Sequence, residues 1–392
     1  MGEITLSELD QRRLKVLADL EGDRMTTEEA ASALGISRRQ LRTIRGRVRR
    51  EGPVGVIHGN RGRRPANAMD VVVGDEIVRL WREKYEGSNQ VFFTEMLERE
   101  EGILVSRSTT RRKLAAEAIP APKPQKRSRH RRHRVRRAQQ GALIQMDGSD
   151  HNWLGDRGPR LTLVGGIDDA TNRVWATFRL HEDTRGYFEV LAEIIDQHGI
   201  PTALYLDKTT IALGSKRTPE RVRTGTVHFK TQMTRVLDRL DILLIQARSP
   251  EAKGRVERLW RTLQDRLYTE LRVKNISTLA GAQRVLGHHL HFHNRNFGRD
   301  PLDSTPAWRA LPDGLSVHDA VCWTYQRTVS KVNTVSVDGT LVQLEFGNSH
   351  PGWARRRIEV CHRLDGTWFA RTFAETVPGT VITDRPAQAE AA

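Results

Sequence analysis

Cysteine is nearly absent from this chain: of 392 residues only Cys322 and Cys361 carry a thiol. So little cysteine, with no signal-peptide pattern among the first residues, argues against an oxidising compartment and makes a reducing cytoplasm the expected location. Long apolar runs are missing too, which excludes a hydrophobic membrane span. No repeat of fixed period is present, which removes the solenoid and propeller classes. Acid is in short supply, with 48 Asp and Glu against 64 Lys and Arg, a formal net charge of +16 and an isoelectric point near 10.4. Such a surplus of base implies a polyanionic partner, nucleic acid ahead of an anionic membrane surface. The length exceeds one ordinary core and implies three or four modules.

What is present centres on the stretch from Ser249 to Leu267, which reads as an amphipathic helix. Val256, Leu259, Trp260, Leu263 and Leu267 share one stripe, while Lys253, Glu257, Arg261 and Gln264 run along its edge. Alone, a Glu in that place reads as a solvated side chain. Upstream, the apolar run Ala142 to Met146 ends in Asp147, and Thr202 to Leu206 ends in Asp207. Each sets a carboxylate at the end of a buried strand. Three acids at element ends point to a metal site. Two divalent cations bridged by carboxylates activate a water or a 3′-hydroxyl and stabilise the leaving oxygen of a phosphodiester, chemistry that needs Asp and Glu rather than His or Cys. Asp150, Asp156, Asp168, Asp169 and Asp183 fall in expected loops and read as turn formers. Asp150 is the nearest rival, three residues past Asp147 but beyond the apolar run.

Towards the N-terminus, Leu6 to Leu20 reads as a helix. Thr26-Thr27-Glu28-Glu29 and Ser37-Arg38-Arg39-Gln40 read as capping boxes opening two short helices around the turn Leu34-Gly35-Ile36. This is helix-turn-helix spacing, with Leu41, Ile44 and Val48 inward and Arg38, Arg39, Arg42 and Arg45 outward, as in a major-groove reader. The alternative is a charged face on a small bundle. Gly55 to Pro65, with Arg61, Arg63 and Arg64, reads as an arm for a minor groove or a phosphate backbone. Val73 to Tyr85, Val91 to Glu100 and Ser106 to Ala118 form a second helical unit whose last helix, with Arg107, Arg111 and Arg112, is either another DNA reader or a spacer packed on the next domain.

Pro120 to Pro124 closes that region, and Lys126 to Arg137 is almost wholly basic. This linker, with Arg129, Arg131 and Arg132, suits phosphate tracking or a solvated strap. Beyond it the chain reads as strand (142–148), hairpin (161–167 and 174–180), helix (184–198), strand (202–206), helix, strand (242–246) and the Glu257 helix. Lys208 and Lys253 either hold a phosphate near the acids or partly neutralise them. The stretch from Gly214 to Gly225 is a candidate DNA-touching loop. His289 and His293, four apart on a helix, invite zinc, but neither Cys nor an HExxH pattern supports it. From Arg327, short alternating segments with Asp338-Gly339 and Asp365-Gly366 turns read as a small β-barrel. Arg355 to Arg357 either bind DNA or keep an edge strand soluble.

Gln145-Met146-Asp147-Gly148-Ser149, Tyr205-Leu206-Asp207-Lys208 and Lys253-Gly254-Arg255-Val256-Glu257-Arg258 resemble the Asp, Asp, Glu motifs of integrase-core transposases, the superfamily of phage Mu transposase and the retroviral integrases. The nearest likeness is to ISNCY-group insertion sequences, from the N-terminal helices to about Arg309. One departure is the second gap, about fifty residues, which is longer than the retroviral type and requires an insertion after Asp207. The resemblance implies a multidomain chain: all-α helix-turn-helix modules (1–65 and 66–118), the basic linker (119–140), an α/β ribonuclease-H-like core with a mixed five-stranded sheet (141–312), a small β-barrel (325–376) and a disordered tail (377–392). It implies Asp147, Asp207 and Glu257 as catalytic and metal-binding residues with two Mg²⁺ ions, Mn²⁺ substituting. It further implies cleavage and transfer of DNA strands, with element ends and target DNA as partners and a homo-oligomer assembled on them. The alternatives are a non-catalytic DNA-binding regulator derived from such an enzyme and a ribonuclease-H-like nuclease without strand transfer.

Overall fold

The structure is a computed structural model that describes residues 6–58, 69–121, 135–206, 230–246, 254–345, 352–371 and 376–383. Two compact units divide the chain, residues 1–75 and 76–392.

The first unit holds α1 (Glu8–Glu21), α2 (Thr27–Leu34) and α3 (Arg38–Glu51). Thr26 and Glu29 cap α2 reciprocally, as the sequence predicts, and Ser7 with Asp10 does the same for α1. At α3 one half of the expected box is seen, Ser37 Oγ accepting from the Gln40 N–H at 3.2 Å. Gly35 ends α2 in the left-handed region (φ +64°), which turns the chain into α3 without steric cost. Leu17, Leu20, Ala30, Ala31, Leu41, Ile44 and Val56 form the shared core.

Helix α4 (Val71–Leu80, continued by a π turn to Tyr85) begins in the first unit and ends in the second, where α5 (Gln90–Arg99) and α6 (Arg107–Ala116) precede the sheet. The sheet comprises β1 (Ile144–His151), β2 (Leu161–Asp168), β3 (Val174–Arg179), β4 (Ala203–Leu206) and β5 (Leu243–Gln246), in the order β3-β2-β1-β4-β5. β1, β2 and β3 are antiparallel, whereas β4 and β5 run parallel to β1. This is the mixed five-stranded ribonuclease-H-like order expected from the sequence. Helices α7 (Thr184–His198) and α8 (Gln232–Arg239) cover one face, packing Phe188, Leu191, Ile194 and Val236 on Ile144 and Met146. The other face is covered by α9 (Gly254–Val273) and α10 (Leu279–Phe297), which bury Trp260, Leu263 and Leu286 against Leu161, Leu163 and Phe178. Each such aliphatic or aromatic side chain contributes about 1.5–3 kcal/mol by leaving water. No helix among the described residues is long and apolar enough to cross a membrane.

The helical region α4–α6 is bolted to the second layer. Arg266 of α9 pairs with Glu95 at 2.6 Å, and Arg99 lies over the Phe292 ring at 4.2 Å. Buried Glu270 takes His289 Nδ1 at 2.8 Å and Lys274 Nζ at 2.8 Å. His289 is therefore engaged by a carboxylate.

After α11 (Val317–Ala320) come six strands: β6 (Trp323–Thr328), β7 (Thr334–Val337), β8 (Thr340–Leu344), β9 (Arg357–His362), β10 (Trp368–Arg371) and β11 (Thr376–Thr383). Their order β6-β9-β10-β11-β8-β7 makes a nearly closed antiparallel barrel, and the Arg327 side chain bridges the remaining gap to the Ser336 carbonyl at 3.0 Å. Two expectations are corrected. The barrel begins at Trp323 rather than 325, and residues 377–383, expected in a disordered tail, form most of β11. Pro378 reads as a breaker, but it faces Phe369 in the ladder while Val377 is buried in the barrel core. Residues 384–392 lie outside the described residues.

Candidate active site

Asp147 sits on β1, half-buried, on the face covered by α9. Its strand neighbour is Gly165 of β2. A Cβ at Gly165 would stand 2.9 Å from the Trp260 ring, so the bare backbone there lets the indole lie across β2. Trp260 Nε1 then donates to Asp147 Oδ2 at 3.3 Å. One turn along, Gln264 Nε2 donates to Ser149 Oγ at 3.1 Å, and a further turn on, the Tyr268 ring meets His151 edge-on at 5.7 Å. Helix and strand thus advance together, four residues of α9 (about 6 Å) for two of β1 (about 6.6 Å).

Glu257 lies in the first turn of α9, exposed, three residues before Trp260 and seven before Gln264. Helical spacing places it on the stripe that these two residues use to reach β1. β4 is hydrogen-bonded beside β1 with Ile144 opposite Leu204 and Gln145 opposite Tyr205, and Leu206 is its last residue. Asp207 follows in the chain and, with Lys208, Lys253 and the 211–227 insertion, lies outside the described residues. Among the described residues no three acidic, His or Cys side chains cluster as a metal site.

The expected loop acids behave differently from one another. Asp150 is inside β1, opposite Thr162, because backbone pairing with β2 extends the strand past its apolar part. It is exposed and paired with Arg160 at 2.9 Å. Asp168 caps its turn through Ala170 N, Thr171 N and Thr171 Oγ1, and it also takes the Gly141 N–H at 2.7 Å. Burial pushes its carboxyl up, against the pull of these donors. Asp169 is no turn cap. Fully buried, it receives Arg255 Nη1 at 2.6 Å, Gln145 Nε2 at 2.8 Å and the Arg137 N–H at 2.8 Å. It thereby ties the start of α9 to β1 and to the end of the basic linker. Sequence reading missed Trp260 as a polar partner, the Asp169–Arg255 pair, and Glu182, whose carboxylate lies against Gly148 and accepts from Tyr187 at 2.6 Å. The Gly165-Gly166 pair inside an apolar strand was the available signal for the first.

In the first unit Arg39 and Arg42 are exposed on α3, and Arg38, also exposed, pairs with Glu28. Arg45 departs from the expected outward set: it is partly buried and turned to Glu21 of α1 at 3.5 Å, which also takes Arg49 at 3.0 Å. Arg107 pairs with Glu95 at 3.3 Å, while Arg111 and Arg112 are exposed. Arg61, Arg63, Arg64, Arg129, Arg131 and Arg132 lie outside the described residues.

A ribonuclease-H-like sheet carrying an acid on its central strand, with a second on the helix packed across it, defines an integrase-type core. Residues 13–70 match the model of the winged helix-turn helix family. The chain is 34% identical to the protein y4bF of Sinorhizobium fredii, which carries a transposase name, over 97% of this chain and 83% of that one. It is 30% identical to the transposase for insertion sequence IS1202 of Streptococcus pneumoniae, over 74% and 68%. A solved structure of the HTLV-2 integrase catalytic core domain in complex with magnesium aligns with 41% of this chain and 91% of its own, at 14% identity and a TM-score of 0.30. The chain belongs to the transposases of bacterial insertion sequences.

Proposed function

We propose that this transposase binds the ends of its element through the first unit and cuts and joins DNA strands with Asp147, Asp207 and Glu257. The observation that carries this reading is the Trp260–Asp147 hydrogen bond across Gly165, which sets the Glu257 end of α9 beside the acid on β1. The donor set fits hard divalent cations. Asp147 and Glu257 offer carboxylate oxygens, one half-buried and one exposed, and Asp207 directly follows the strand next to β1. Two Mg²⁺ ions, or Mn²⁺, held by the three acids would supply charge stabilisation to a phosphodiester under attack by water or a 3′-hydroxyl. Trp260 holds Asp147 in one orientation, and the buried Asp169–Arg255 pair fixes the helix turn that carries Glu257. Lys208 and Lys253 are assigned to phosphates near these acids. Arg39 and Arg42 present unshielded guanidinium groups suited to base edges, and Arg38, Arg107, Arg111, Arg112 and the arm and linker arginines suit phosphates. A homo-oligomer assembled on two DNA ends in the cytoplasm completes the reading.

Labelled end duplexes incubated with the protein and Mg²⁺ test it. Joined products support transposition. Cut products alone assign a nuclease, and retarded bands alone assign a binding regulator. Alanine at Asp147, Asp207 or Glu257 is expected to abolish cutting and joining while end binding persists; a variant that still joins normally removes that residue from the site.

A further inference from the structure

On the flank of α9 turned away from Glu257 lies a cavity of about 270 Å³ whose walls carry Arg136, Arg258 and Arg299. Arg255 also lines it but is matched by Asp169. No carboxylate contributes to the lining. Arg136 is fixed in place by its Nη1, which donates to Asn172 Oδ1 at 2.7 Å and to the Asp169 carbonyl at 3.0 Å. Arg299 leaves the backbone where its N–H meets the Thr171 carbonyl at 2.9 Å. Like charges drawn together repel one another, and the nearby Asp169 and Asp168 carboxylates, already engaged by Arg255 and by backbone N–H groups, offset this only in part, so an anion seated here would stabilise the arrangement. Burial first, then the charge of Arg299 and, after the opposing pull of Asp169, that of Arg258, make the Arg136 proton easier to lose than usual, with Asp168 also working against the shift.

A second observation is independent of the charges. His293 lines the same cavity at 4% exposure, and its buried Nδ1 has no hydrogen-bond partner among the described residues. Burial first, then His289 and Arg266, bring its pKa down to about 3, so the ring is neutral and able to donate one hydrogen bond. Phe297, partly exposed, adds an apolar surface that an inorganic anion does not need and a nucleotide does.

We propose that this cavity is a seat for a DNA backbone phosphate, separate from the three acids and on the opposite side of the helix that carries Glu257. The proposal rests on DNA being the substrate. Arg136 is the last residue but one of the basic run Lys126 to Arg137, so the seat lies where that run meets the core.

The test measures affinity of the full chain for a random-sequence duplex across a salt series. Arg258→Ala with Arg299→Ala is expected to reduce the log–log salt slope by about one unit per lost phosphate contact. The paired lysine changes should retain the slope. Arg295→Ala removes one charge from α10 outside the cavity and is expected to change the slope by less than half as much as the double variant. A slope unaltered in the double alanine variant, or altered equally by Arg295→Ala, overturns the seat. So does thermal stabilisation by inorganic phosphate at matched ionic strength that the double variant loses while its DNA slope stays normal. Strand joining by the unaltered chain is scored separately: its absence with a changed slope sinks the transposition chemistry and leaves the seat standing.

Discussion

The indole N–H of Trp260 donates to Oδ2 of Asp147 at 3.3 Å, across a glycine of the neighbouring strand. A helix edge and a central strand are thus joined by one polar contact inside an apolar layer. Trp260→Phe keeps the ring and removes the donor. Partners of metal-holding carboxylates are worth about 10–100-fold in metal affinity or activity. Joining should fall by that order, with part of the loss recovered at higher Mg²⁺. Rates equal to the unaltered chain across a Mg²⁺ series would detach Trp260 from the site.

Two aspartates expected to be equivalent turn residues should differ sharply. Asp169→Asn leaves Arg255 buried without its counter-charge, a change that costs about 3–5 kcal/mol. Asp150→Ala breaks an exposed pair with Arg160, worth about 1 kcal/mol or less. Urea unfolding of both variants checks the contrast, and Asp150→Ala should join DNA normally.

Acid should destabilise the second unit in two overlapping windows. His293 has a folded pKa near 3, below its ordinary 6.5, so the unfolded chain takes up the proton first and stability falls as pH drops from about 6.5 towards 3. For Glu270, burial would raise the carboxyl, but His289 and Lys274 outweigh it and bring the pKa to about 2. Its contribution is full above the ordinary carboxyl value of 4.5 and disappears as pH falls towards 2. Thermal melts against pH should lose the upper window in His293→Phe and the lower one in Glu270→Gln.

Recognition should reside in part of α3. Arg39→Ala and Arg42→Ala are expected to narrow the gap between end and random DNA by about 1–3 kcal/mol each if they meet base edges. Arg45→Ala, which loses Glu21, should instead loosen the contact between α1 and α3 and weaken both duplexes alike. Affinities for end and scrambled duplexes at several salt concentrations separate the two behaviours. Equal effects from Arg42→Ala and Arg45→Ala would move the reading surface off this helix.

Much of this architecture was legible because hydrophobic period and cap chemistry are local. Thr184–His198 is helical over the span its pattern predicts, Thr26 and Glu29 cap as expected, and the apolar run ending at Leu206 is β4. What escaped depends on partners distant in sequence. Asp150 is in a strand because β2 continues to pair there, and Asp169 is an anchor because Arg255 arrives 86 positions later. Pro378 and Gly379 carry turn chemistry, yet β8 and β10 supply the hydrogen-bonding frame that makes them strand. Of the three expected acids, Asp147 and Glu257 are placed on elements that touch, through a tryptophan whose apolar role was evident and whose N–H was overlooked.

The matched advance of α9 and β1 has a consequence for how such chains vary in length. Glu257 receives its location from residues that follow it, Trp260 and Gln264, and from Arg255 two positions before it. Of the roughly fifty residues separating it from Asp207, only Arg255, two positions away, takes part in these contacts between described residues. Closing a flexible loop costs only about 0.6 kcal/mol more for each doubling of its length. Outside α8 and β5, that interval can therefore differ in length while the carboxylate stays where it is. A single residue inserted between Glu257 and Trp260 has the opposite effect, turning the acid about 100° around the helix. Motif spacing is thus a soft character of this chain, and the phase of α9 is a hard one.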